Sequence, residues 1–198
     1  DERRSVQRVP NAVAGWARSG HSRRPRGGPV PQLQKDHDRP EAGGVVSDGW
    51  IANADGGARG NPGPGAAGIV VRSPDGAVAC AGGAFLGSVT NNVAEYEALL
   101  WAMRAAQALG ARVLELRADS ELVVRQMNGQ YRVKSPGLKP LFAEAQRLRR
   151  GFESIAFVHV PRGQNAEADA LANEAMDTCG IVGDAPRPPA GDLRTLFE

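Results

Sequence analysis

The sequence offers only two cysteines, Cys80 and Cys179, and neither has a His or Cys neighbour at metal-ligand spacing. That scarcity excludes a disulfide framework and a zinc site, and it suits a reducing compartment. No apolar run approaches the roughly 18 residues that a membrane span needs, and the N-terminus lacks the continuous apolar segment of a secretory signal. A soluble protein of the cytoplasm, without a membrane partner, is expected. Methionine is absent before Met103, so Asp1 is not an obvious translation start.

Charge of one sign is also scarce. The formal charge is +2, but residues 1–47 hold nine Lys/Arg against five Asp/Glu, which leaves −2 for the rest. Affinity of the folded part for nucleic acid would therefore have to come from local patches rather than from a global field. Residues 1–47, with "HSRRPRGGPVPQ", show neither a helical nor a strand period and are expected to be a disordered basic extension. Residues 48–177 hold the patterned part, and 178–198 read as a Pro-rich tail.

The patterned part opens with "WIANA", the glycine-rich "DGGARGNPGPG", "AAGIVVRS", a turn at "SPDG" and "AVACAGGAF". These predict a three-stranded antiparallel meander. "TNNVAEYEALLWAMRAAQALG" predicts a long helix capped by Thr90 or Asn91 and stopped by Gly110. Then come a strand over "RVLELRAD", a short helix over "SELVVRQM", a loop "NGQYRVKSPG", a helix over "LKPLFAEAQRLRR" and a strand over "SIAFVHV". A helix over "NAEADALANEAM", capped by Asn165, closes the patterned part. Three meander strands followed by helical crossovers make a mixed α/β sheet.

Four acids sit where these elements begin or end: Asp55, Glu95, Asp119 and Asp169. Strand carboxyl ends and helix amino ends are where an open α/β sheet gathers ligands, and Asp55 meets Asp119 if the first and fourth strands are neighbours. Clustered carboxylates repel, and without a counter-ion one of them takes up a proton. Hard oxygen donors without His or Cys select Mg²⁺ or Mn²⁺, and two such ions about 4 Å apart suit in-line attack on a phosphodiester. The two helix amino ends are expected to favour ionised Glu95 and Asp169. Glu97 competes with Glu95, but helical spacing puts Glu95 about 80° and Glu97 about 120° from the centre of the Leu99/Leu100/Met103 stripe, which favours Glu95. The glycine stretch is no nucleotide P-loop, because it lacks the Gly-Lys-Ser/Thr ending and leads into a strand.

"DGGARGNPGPGAAG", "TNNVAEYEAL", "ADSELVVRQM" and "HVPRGQNAEADALAN" resemble, in order, the motifs of the type 1 ribonuclease H family, nearest its archaeal and actinobacterial branch. The resemblance implies a ribonuclease H-like fold: a mixed five-stranded sheet of order 3-2-1-4-5 flanked by helices. It implies a metal-dependent endonuclease cutting the RNA strand of RNA/DNA hybrids, with 5′-phosphate and 3′-hydroxyl products. The family's metal ligands fall on Asp55, Glu95, Asp119 and Asp169. Its hybrid contacts fall on Gly60, Asn61, Asn91, Asn92 and Ser120, with Thr90 near a phosphate of the DNA strand. Asn91 and Asn92 also suit plain helix capping.

The chain departs from that pattern in three places. The loop before the last acid is short, and Arg162 rather than His159 is the candidate for the mobile role other members give a histidine. A basic helical protrusion is missing, and Tyr131 with Lys134 in "YRVKSPGLK" is its candidate substitute. Glu121 stands where relatives often have Gln. The alternatives are another nuclease of the same fold or an inactive hybrid-binding module. A monomer is expected; "DLRTLFE" loosely resembles a sliding-clamp peptide, although a frayed terminus is favoured there.

Overall fold

A computed structural model describes residues 49–186, so the basic extension and the "DLRTLFE" segment lie outside the described residues. Three strands, β1 (Trp50–Ala58), β2 (Gly63–Arg72) and β3 (Val78–Val89), form the expected antiparallel meander. The β2–β3 turn closes through Ser73 N–H to Ala77 O at 3.0 Å and Gly76 N–H to Ser73 O at 2.9 Å, with Gly76 at φ +84°. That left-handed conformation is why a glycine ends "SPDG".

Much of the stretch expected to be a glycine loop is strand. β1 runs on to Ala58 and β2 starts at Gly63, which leaves a hairpin turn at Arg59–Pro62, closed by Arg59 N–H to Pro64 O at 2.8 Å. The Asn61–Pro62 peptide is cis. Asp55 thus lies inside β1 rather than at its end, because glycines and alanines with no bulk to misfit continue the pairing, Gly56 against Ala67 and Gly57 against Ala66.

Helix α1 (Asn91–Ala108) crosses to β4 (Val113–Ala118), which lies parallel to β1. Helices α2 (Glu121–Met127) and α3 (Lys139–Arg149) lead to β5 (Ser154–His159), parallel to β4. A 3₁₀ turn at Arg162–Gln164 introduces α4 (Ala166–Thr178). A sixth strand, β6 (Ile181–Gly183), pairs antiparallel with β3, giving the order β5-β4-β1-β2-β3-β6. The five-strand expectation is corrected to that extent: residues 181–183 carry too little pattern to stand out from a tail in the sequence, yet the open β3 edge accepts them. Asp184 Oδ1 takes the Ala81 N–H at 2.9 Å and Trp101 Nε1 donates to Pro186 O at 2.6 Å, which anchors residues 184–186 beyond β6.

The sheet has two apolar faces. The larger core packs α1, buried on nearly all sides, against Ala52, Ala54, Ile69, Val71, Leu114 and Leu116. The smaller one packs Ala172, Ala175 and Met176 of α4 against Ala66. Both helices come very close to the sheet: a Cβ on Gly56 would fall inside the Ala94 carbonyl of α1, and one on Gly68 inside the Ala168 carbonyl of α4. Glycine at these two positions sets how near Glu95 and Asp169 come to Asp55.

Candidate active site

Asn53 of β1 stands opposite Arg117 of β4, the last pair of that ladder. Strand alternation then places Asp55 and Asp119 side by side on the same face, two residues further along each chain. Glu95 of α1 and Asp169 of α4 complete the lining of one cavity of about 300 Å³, so all four expected acids share it. Glu97 does not; its side chain is buried elsewhere, at 5% exposure.

The acids show the strain of crowding. Burial, then the charge of Asp119 and a hydrogen bond shared with it, then Asp169, push the Asp55 carboxyl up to about 7, against a lowering by Arg162. Burial also raises Glu95, although Ser120 and Asn91 counter it. Ser120 Oγ donates to Glu95 Oε2 at 2.5 Å and Asn91 Nδ2 to Oε1 at 2.9 Å. Asp169 accepts from Arg162 Nη2 at 2.6 Å. Glu95 lies in the second turn of α1, not the opening one, so the helix amino end acts on it less than expected; Asp169 is in the first turn of α4.

No His or Cys lines this cavity, and an all-carboxylate donor set with an excess of negative charge fits a hard divalent cation. In the arrangement seen, no three acids among the described residues converge tightly enough to enclose an ion. Ser120 and Asn91 hold Glu95, and Arg162 holds Asp169, so the charge-neutralising partner of Asp169 is a guanidinium here.

The other expected residues divide. Asn91 and Ser120 line the acid cavity. Thr90 caps α1, with its Oγ1 accepting from Val93 N–H at 3.4 Å, and it shares a neighbouring groove of about 280 Å³ with Asn61, Asn92 and Ser135. Asn61 Oδ1 takes the Asn91 N–H at 3.2 Å, so the hairpin turn is tied to the start of α1. Gly60 has φ +108° within that turn and lines neither recess.

Tyr131 and Lys134 are not brought into the acid cavity. Tyr131 instead accepts from Arg125 Nη1 at 2.8 Å, with the guanidinium 5.1 Å from its ring, because the loop turns back along α2. Only its later part, at Ser135 and Gly137, reaches the Thr90 groove. His159 approaches the Asp119 carbonyl, Nε2 to O at 3.2 Å, and is not a lining residue, whereas Arg162 is.

Asn165 does not cap α4 with its side chain. It is 1% exposed and turned toward the strands. Sequence reasoning also missed Arg59 and Asn173, which line the cavity. Arg59 pairs with Asp177 at 2.7 Å, both well exposed. Its signal was an arginine set among small residues at a hairpin tip.

The mixed sheet, its crossovers and an acidic cavity beside adjacent strands β1 and β4 define the ribonuclease H-like class of fold. A sequence profile described as reverse transcriptase-like matches residues 53–175. Ribonuclease HI of Halobacterium salinarum is 45% identical over 139 residues, 70% of this chain and 68% of that protein. The bifunctional protein Rv2228c of Mycobacterium tuberculosis is 43% identical over 146 residues, and the match spans 40% of its length. The crystal structure of LC11-RNase H1 in complex with RNA/DNA hybrid superposes with a TM-score of 0.63 at 45% identity, covering 66% of this chain and 98% of that one. The chain belongs to the ribonuclease HI family.

Proposed function

We propose that this protein is an endoribonuclease that hydrolyses the RNA strand of RNA/DNA hybrids, leaving 5′-phosphate and 3′-hydroxyl ends. The observation that carries the reading is the meeting of Asp55, Glu95, Asp119 and Asp169 in one cavity, in a chain akin to a ribonuclease H1 solved with hybrid. These four carboxylates would hold two Mg²⁺ ions, with Mn²⁺ as a substitute. Bound there, the ions would supply an activated water and stabilise the leaving oxygen.

The protein's own contribution is placement. Ser120 and Asn91 keep Glu95 turned into the cavity. Arg162 neutralises Asp169 when no cation does so, and exchange of this exposed pair suits it to the step in which product leaves. Gly60, Asn61, Thr90, Asn91, Asn92 and Ser120 would meet the hybrid, where short amides and bare backbone suit the wide minor groove and its 2′-hydroxyls. Tyr131 and Lys134 would act outside the cavity, on flanking phosphate. Among the described residues no helix is long and apolar enough to cross a membrane. The unpaired thiols of Cys80 and Cys179 fit a reducing compartment such as the cytoplasm, and the protein is read as a monomer.

The test is cleavage of end-labelled RNA/DNA hybrid, double-stranded RNA and double-stranded DNA, each with Mg²⁺, Mn²⁺ or chelator. RNA-strand cleavage of the hybrid in either metal, lost in chelator, is expected. Binding of hybrid without cleavage would leave an inactive binding module, and cleavage of DNA alone another nuclease of this fold.

A further inference from the structure

We propose that Asn165 is the positioning residue of this site: its buried amide holds the Asp55 and Asp119 carboxylates at the spacing the reaction needs. The inference rests on the reading of those two acids as metal ligands.

The backbone does not do this job. The parallel ladder between β1 and β4 ends at Asn53–Arg117, two residues short of the acids. Two like charges beyond the last rung would spread toward solvent. Asn165 supplies the missing link. Its Nδ2 donates to the Ala54 carbonyl at 2.9 Å and to Asp119 Oδ1 at 3.1 Å, and it stands 3.5 Å from Asp55 Oδ1. One amide thus ties β1, at the residue before Asp55, to the acid just past the end of β4.

Its orientation is determined from behind. Asn53 Nδ2 donates to Asn165 Oδ1 at 3.1 Å and to the Gln164 carbonyl at 3.1 Å. With the oxygen so engaged, only the NH₂ can face the carboxylates. The residue is 1% exposed, and burying an amide is costly unless its groups are bonded, as they are here. Asn165 also starts the helix that carries the third acid, since the Asp169 N–H donates to the Asn165 carbonyl at 3.0 Å. A carboxylate at 165 would add to the repulsion, and a shorter side chain would lose the reach.

The decisive experiment compares wild type with Asn165→Ala, Asn53→Ala and a remote core control, Leu148→Ala in α3. Each is measured for thermal unfolding, Mg²⁺ binding by titration calorimetry without substrate, and kcat and KM on hybrid. For Asn165→Ala, kcat is expected to fall and the Mg²⁺ dissociation constant to rise by about 10- to 100-fold, the usual effect of losing a group that orients ligands. KM for hybrid should stay within about threefold, since uniform substrate binding is untouched. Asn53→Ala should shift both readouts the same way by less, and it decides the matter if Asn165→Ala does not fold. Leu148→Ala should lose stability and keep both.

Wild-type Mg²⁺ binding and kcat in the Asn165 and Asn53 variants would overturn the proposal, as would equal losses in Leu148→Ala at matched stability. A wild type that binds Mg²⁺ but leaves hybrid intact would overturn the proposed function, and the Mg²⁺ comparison would still decide the role of Asn165. A wild type that binds no Mg²⁺ would overturn both.

Discussion

Replacing Asp55 with Asn should make the metal-free protein more stable at alkaline pH while abolishing catalysis. Asp55 is held at about 7 in the fold against an ordinary 3.8. The gap of about three units, at about 1.4 kcal/mol each, sets a ceiling of about 4 kcal/mol on the cost of ionising it there. The folded value lies above the unfolded one, so the sign is clear. Below about pH 4 both states hold the proton and nothing is lost; from there to about pH 7 only the native state holds it, and stability falls as pH rises. Asparagine imitates the protonated acid at every pH. The variant should therefore match wild type at about pH 4 and exceed it by about 1–3 kcal/mol at about pH 8, the ceiling being reduced as neighbours and Arg162 adjust to the charge. Urea unfolding of both proteins in chelator at the two pH values measures this. Equal stability at pH 8, or the same gain at both pH values, would refute the account of a crowded, buried carboxylate. Adding Mg²⁺ at pH 8 should stabilise wild type more than the variant.

Other outcomes separate the remaining parts. Glu95→Gln should cut kcat by about three orders of magnitude, as loss of a metal ligand worth several kcal/mol would, whereas Glu97→Gln should leave the Mg²⁺ dependence of activity unchanged; a reversed result in the same assay would exchange their roles. Arg162→Ala should change unfolding free energy by less than about 1 kcal/mol, because its pair with Asp169 is exposed on the arginine side, but should lower kcat several-fold with little change in KM if the loop helps product leave. Gly56→Ala forces α1 away from β1 at Ala94, so a stability loss of about 1–3 kcal/mol is expected in denaturant titration, together with weaker Mg²⁺ binding as Glu95 moves from Asp55.

Much of this protein was legible one residue at a time. Alternating apolar residues mark the strands and Thr90 marks a helix start; of the four acids, Asp119 and Asp169 do stand at element borders, whereas Asp55 lies inside β1 and Glu95 in the second turn of α1. Local periodicity and chemistry carry such information because they act over a few residues. Distance between segments is another matter. That Gly56 and Gly68 mark where helices meet the sheet, that Asn165 turns its amide away from its own helix, and that residues 181–183 complete the sheet all depend on partners far along the chain. The same holds for Tyr131, whose partner Arg125 keeps it out of the acid cavity although its neighbours in sequence suggested a phosphate contact. The charges of the site were written in the chain, but their spacing is a product of packing: two close helix approaches and one buried amide hold together carboxylates that would otherwise move apart.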